Sequence, residues 1–189
     1  ITKLTVENYL KFYSTLGLNF TILRFSNVYG PRQRSDGEGG VVAIFINKIL
    51  RGERPIIFGN GNQTRDFLYV KDAVEALILS MKAKPNSIYN VGTNKEVKIK
   101  QLLNLISNIS GKKATPIFKP KLKGEILNSR IDYSKIKKEL NWQPKYDLEK
   151  GIKETLKFFI WSFHANCNFV WGIGYSALSS HKKNSQSND

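Results

Sequence analysis

The chain has 189 residues, 41% of them hydrophobic and 24% charged, ample for one large buried core and too well mixed for a disordered or fibrous protein. Thirty basic residues against fifteen acidic ones leave a net charge of +15, which suits an anionic partner, but the lysines are scattered and carry no zinc-finger spacing or aromatic RNA-binding signature. One cysteine, Cys167, excludes an internal disulfide and points to a reducing, cytoplasmic setting, and the two histidines, His164 and His181, lack metal-ligand spacing.

In chain order, Lys3 to Leu16 predicts a helix with Val6, Tyr9, Leu10, Tyr13 and Leu16 on its apolar face, ended by Gly17. Asn19 to Phe25 is β-branched and aromatic enough for a buried strand. Asn27 to Gly40 reads as a loop, with Pro31 and with Gly37, Gly39 and Gly40. A helix over Val41 to Arg51 presents Val42, Phe45, Ile46 and Ile49, and Pro55 to Phe58 follows as a short strand. Ala73 to Ala83 predicts a third helix packed through Val74, Leu77, Ile78 and Met81, with Asp72 capping its first N–H groups. Ser87 to Val91 is a strand, and Ile99 to Ser110 a helix burying Leu102, Leu103 and Ile106. Lys113 to Lys123 is basic, carries two prolines and reads as irregular, before helices over Tyr133 to Leu140 and Leu148 to Phe159. Alternating strands and helices predict an α/β fold with parallel strands.

The tail changes character after Ile160. Phe158 to Leu178 is long enough to raise a membrane question, but Ser162, His164, Asn166, Asn168 and two glycines argue against a span. Ser179 to Asp189 is Ser/Asn/Lys-rich and reads as disordered.

The stretch with most chemistry is Gly59-Asn60-Gly61-Asn62-Gln63-Thr64-Arg65-Asp66-Phe67-Leu68-Tyr69-Val70-Lys71-Asp72. Glycines at 59 and 61 allow backbone angles that a Cβ would block. Arg65 offers a planar fork of donors suited to a diphosphate, and a β-turn followed by a surface ion pair is the competing reading.

Leu23-Arg24-Phe25-Ser26-Asn27-Val28-Tyr29-Gly30-Pro31-Arg32-Gln33, the glycine turn with Arg65-Asp66-Phe67, Tyr89-Asn90-Val91-Gly92 and Leu140-Asn141-Trp142-Gln143-Pro144 together resemble the extended short-chain dehydrogenase/reductase family, the NAD-dependent sugar-nucleotide epimerases and dehydratases. Gly39 to Phe45 with the Arg65 turn looks most like UDP-glucose 4-epimerases. The resemblance implies the C-terminal part of a Rossmann-type doubly wound parallel sheet (residues 1–30), a smaller α/β substrate-binding cap (mainly 31–160) and an atypical tail (161–189). It implies NAD as cofactor, a nucleotide sugar as substrate, no nucleic-acid or membrane partner, and a homodimer by analogy. Lys3 resembles the catalytic lysine that also holds the nicotinamide ribose, Phe25 the aromatic position near the nicotinamide, Asn27 the substrate-binding asparagine and Arg65 the diphosphate ligand. For each the plainer role is an exposed lysine, a core phenylalanine, a turn asparagine and a surface ion pair.

Two departures stand out. The family's second diphosphate arginine falls on Leu122, flanked by Lys121 and Lys123 ahead of Gly124-Glu125. No glycine-rich dinucleotide fingerprint stands at a strand-to-helix junction, and the chain opens at Ile1 inside an amphipathic pattern, so it reads as a C-terminal part whose catalytic tyrosine would precede Lys3 by one helical turn. The implied activity is epimerisation at C4 through a 4-keto sugar, incomplete in this chain alone. Alternatives are a nucleotide-sugar 4,6-dehydratase, an inactive associating subunit, and, from another class, a basic nucleic-acid-binding domain.

Overall fold

The computed structural model describes residues 2–36 and 39–178, with the side chains of 164–178 left out. The expected disorder of Ser179 to Asp189 and the side chains of His164 and Cys167 fall outside the described residues.

Strand β1 (Thr21–Phe25) pairs in parallel with β6 (Ser87–Val91), β2 (Asn27–Tyr29) with β5 (Phe67–Tyr69), and β3 (Ile56–Phe58) with β8 (Ile117–Lys119). Among the described residues one antiparallel ladder joins β4 (Thr64–Arg65) to β7 (Val97–Lys98). Parallel ladders need long crossovers, and helices supply them, as in the α/β, Rossmann-type architecture expected.

The chain changes sheet partner at a single residue. Ser26 N–H still reaches Val91 O at 2.9 Å, the last rung toward β6, while Asn27 N–H reaches Asp66 O at 2.9 Å, the first toward β5. β1 and β2 are thus one extended run that forks between two neighbours. The expected loop from Asn27 therefore begins as a strand; its three-residue length hides it from any alternation pattern. Likewise β8 lies in the stretch expected to be irregular, because its exposed residues give no core-facing pattern and only β3 recruits them.

Two cores flank the fork. Helices α2 (Val41–Leu50), α4 (Ile99–Ser110) and the first turns of α6 (Leu148–Leu178) bury Val42, Phe45, Ile46, Ile49, Leu102, Leu103, Ile106, Ile152 and Leu156 against Tyr29, Ile57, Phe67 and Tyr69. For α2 and α4 these are the stripes read from helical spacing. The second core joins Leu68, Tyr89 and Val91 to Ala73 and Ala76 of α3 (Val70–Ser80), Ile136 of α5 (Ser134–Leu140) and Trp142.

Two expectations fail here. In α3, Val74, Leu77, Ile78 and Met81 are exposed, Met81 by 85%, and the buried face is Asp72, Ala73 and Ala76. Small side chains let the helix backbone approach the sheet, and the larger apolar stripe faces away. Helix α1 (Thr2–Ser14) buries nothing fully: Val6, Tyr9, Tyr13 and Leu16 are exposed, as are Leu4 and Phe12. A bidentate pair ties it to β1, Arg24 donating from Nε to Glu7 Oε1 at 2.8 Å and from Nη2 to Glu7 Oε2 at 2.5 Å.

Asp72 does not cap its own helix either. Helix α3 starts three residues earlier than expected, and the Asp72 carboxylate accepts from Lys145 N–H and Tyr146 N–H, both at 3.1 Å. Its carbonyl accepts from Trp142 Nε1 at 3.1 Å, so one buried residue holds the whole α5–α6 linker against α3. Helix α6 runs on past Phe159 into the tail, and among the described residues no helix is long and apolar enough to cross a membrane.

Candidate nucleotide-sugar site

The glycine turn folds as its sequence requires. Gly59 and Gly61 sit at φ 68° and 72°, the left-handed region that disfavours a side chain, and Asn60 Oδ1 accepts from Asn62 N–H at 3.0 Å across the bend. The turn closes one side of a cavity of about 510 Å³. Phe58 supplies an aromatic wall, Asn60, Asn62, Gln63 and Asn128 supply amides, Lys121 a cation and Glu125 a carboxylate.

Arg65 stands behind this wall rather than among the lining residues. Its Nη1 donates to Thr64 O at 2.7 Å and Ile126 O at 2.8 Å, and its Nη2 to Glu125 Oε1 at 3.3 Å. Its side chain is only 18% exposed and that of Glu125 15%. Much of the guanidinium fork is spent on protein, leaving Nε and one hydrogen on Nη2. The wall segment 125–128 is laced to the turn by further bonds: Thr64 N–H to Leu127 O at 2.7 Å, and Gln63 Nε2 to both Phe58 O and Glu125 Oε1.

Asn27 opens β2 with its side chain exposed, directly across the ladder from Phe67 and two residues in register from the Arg65 strand. A small cavity of about 30 Å³ lies beside it, where Gln33 donates from Nε2 to Val28 O at 2.9 Å while its Oε1 is buried without a partner among the described residues. Phe25, half-buried, ends β1 opposite Val91. Lys3 lies in the first turn of α1 and is exposed. The fork thus brings Asn27 beside Asp66 and Phe67, whereas among the described residues no hydrogen bond joins Lys3 to Asn27 or Arg65. Lys3 and Phe25 by themselves form no dinucleotide cleft, and no glycine fingerprint accompanies them.

Two nearby tyrosines, Tyr29 and Tyr69, are held toward the neutral phenol. Tyr29 is buried, and desolvation pushes its phenol far above the ordinary range, with Tyr69 and Asp147 adding to the effect. Tyr69 is shifted the same way by burial.

Sequence reasoning passed over Phe58, Asn128 and the placement of Glu125. The Gly124-Glu125 pair was visible, but only folding brings residues 121–128 against 58–65. Of the two lysines flanking Leu122, Lys121 lines the cavity; Lys123 is not among its lining residues, and Leu122 is exposed.

These ladders, with a cavity beyond the ends of β3 and β8, define an α/β protein, of the Rossmann type that its structural neighbours share. The model of the NAD dependent epimerase/dehydratase family matches residues 1–92, and the chain belongs to that family. A Methanocaldococcus jannaschii relative is 42% identical over 159 residues, covering 84% of this chain and 52% of its own length. The UDP-glucose 4-epimerase of Mycolicibacterium smegmatis is 38% identical, over 83% of this chain and 51% of its own. A crystal structure of UDP-glucose 4-epimerase from Thermotoga maritima with UDP-glucose superposes with a TM-score of 0.83 at 44% identity, covering 85% of this chain and 52% of that one. The chain spans about half the length of the curated relatives it matches.

Proposed function

We propose that this chain carries the substrate-binding part of an enzyme that epimerises a UDP-sugar at C4, of the UDP-glucose/UDP-galactose type, through a transient 4-keto sugar and with NAD as cofactor. The cavity between the glycine turn and the 121–128 segment carries this reading. Phe58 offers a face for a planar base, the amides of Asn60 and Asn128 offer both donors and acceptors, Glu125 can accept from ribose hydroxyls, and Lys121 with the remaining Arg65 donors can meet a diphosphate. Asn27, across the fork, is assigned to the sugar. The protein's part is binding and orientation, which is how a cofactor enzyme spends its side chains. Lys3 and Phe25 are assigned to the cofactor side, where by themselves they do not form a complete NAD site.

The exposed apolar residues of α1 support self-association into a homodimer. The lone Cys167 supports a reducing, cytoplasmic compartment.

The test is a titration of the chain with UDP-glucose, UDP and glucose 1-phosphate, followed by backbone amide NMR. Saturable shifts at Asn60, Arg65 and Asn128 with the two UDP ligands are expected, and far weaker ones with glucose 1-phosphate. Shifts absent from these residues overturn the reading, and DNA retention that falls with salt in their place favours a nucleic-acid role.

A further inference from the structure

We infer that Asp66 is a positioning residue: its buried carboxylate sets the relative placement of Asn27 and the cavity wall, so that the site proposed above, on which this inference rests, is held together from behind. Asp66 is 0% exposed and touches no cation among its hydrogen bonds. Oδ1 accepts from Thr93 Oγ1 at 2.7 Å and Thr93 N–H at 2.9 Å. Oδ2 accepts from the same N–H at 3.1 Å, from Asn94 N–H at 3.1 Å and from Ile131 N–H at 3.2 Å. The Asp66 carbonyl accepts from Asn27 N–H at 2.9 Å.

Three segments therefore meet at one residue. The first is the start of β2, bearing Asn27. The second is the exit of β6, where Asn94 takes a positive φ of 57° to turn its N–H inward. The third is the end of the cavity wall, since Ile131 follows Asn128 by three residues and Arg65 holds Ile126 of the same segment. Asp66 sits where the sheet forks between β5 and β6, and from there it reaches all three.

Charge is needed because every contact is a donor. A carboxylate presents lone pairs on both oxygens, whereas an amide accepts on one and turns an NH₂ toward the N–H groups on the other side. The site also leaves no room to adjust: a Cβ on Gly92 would stand 2.7 Å from Asp66 Oδ2 and 3.0 Å from Ile131 Cβ.

The test compares the full chain with Asp66→Asn, Gly92→Ala and Trp142→Phe by UDP titration and by amide NMR without ligand. Asp66→Asn removes acceptors and Gly92→Ala displaces the carboxylate with its charge intact, so both are expected to weaken UDP binding by roughly tenfold or more. Both are expected to move the Asn27, Arg65 and Asn128 amides before any ligand is added. Trp142→Phe, which loses stability in the other core, is expected to leave both readouts in place. UDP affinity within about twofold of the parent for Asp66→Asn, or an equal loss in Trp142→Phe, overturns the inference. Should the parent chain itself give no response to millimolar UDP, the functional reading falls, and the ligand-free amide shifts decide the positioning role alone: unmoved Asn27 and Asn128 amides overturn it. Should Asp66→Asn fail to fold, Gly92→Ala carries both readouts.

Discussion

Arg65 donates through Nη2 to Glu125 Oε1 at 3.3 Å, so the cation proposed to meet a diphosphate is already paired across the cavity wall. The pair is mostly buried, and its guanidinium also holds two carbonyls. Arg65→Ala removes both the wall anchor and the charge. We expect UDP binding to weaken by about 1.5–3 kcal/mol, roughly ten- to a hundredfold, as read by calorimetry. An unchanged affinity removes Arg65 from the site.

Lys121 lines the cavity and, unlike Arg65, is exposed. Interactions of such a group are screened over about 10 Å at 0.1 M salt. Lys121→Ala should weaken UDP binding at low ionic strength and lose most of that effect in high salt. Lys123→Ala should do neither. The measurement is a pair of titrations at two salt concentrations for each variant.

The apolar stripe of α3 faces outward. Leu77→Gln and Ile78→Gln should therefore change the urea unfolding free energy by no more than about 0.5 kcal/mol. Ala76, buried against the second core, has no space for a larger side chain, and Ala76→Leu should cost about 1–3 kcal/mol. The reverse ranking would place the wrong face of α3 against the sheet.

Asp72 gives a pH signature. Burial raises its pKa above the ordinary aspartate value of 3.8, outweighing the two backbone N–H bonds from Lys145 and Tyr146, which lower it. An acid whose folded pKa is raised binds more protons in the native state than in the unfolded one. Its contribution to stability is thus largest at low pH and falls as pH rises from 3.8 through the raised folded value. Asp72→Asn should abolish that downward component, read as a flatter curve of unfolding free energy against pH in that window.

NAD offers the simplest comparison. Lys3 and Phe25 are proposed for the cofactor side, and no glycine-rich dinucleotide fingerprint accompanies them. The 189-residue chain should show no saturable binding of NAD while still responding to UDP. Micromolar NAD binding would contradict this.

Helical spacing alone was enough to find Val42, Phe45, Ile46 and Ile49 of α2 and Leu102, Leu103 and Ile106 of α4, because a helix packed on one side must repeat its apolar residues every three or four positions. Periodicity could not say whether a stripe has anything to face. The stripes of α1 and α3 have equally good spacing and lie exposed. Strands of two or three residues, such as β2, β4, β7 and β8, are too short to carry a period, and only their partners define them.

The linear order of residues by itself determined the alternation of helices and strands, the glycine bend ahead of Arg65 and the candidate residues Asn27 and Arg65, since these depend on local propensity, backbone freedom and side-chain chemistry. Tertiary structure decided the rest. It split one extended run at Ser26 between two parallel partners, put Asp66 in the fork, and carried Lys121, Glu125 and Asn128 some sixty residues along the chain to face Phe58 and Asn60. Hydrogen bonds and desolvation act between groups that touch in space, and no local pattern encodes which distant segments will touch.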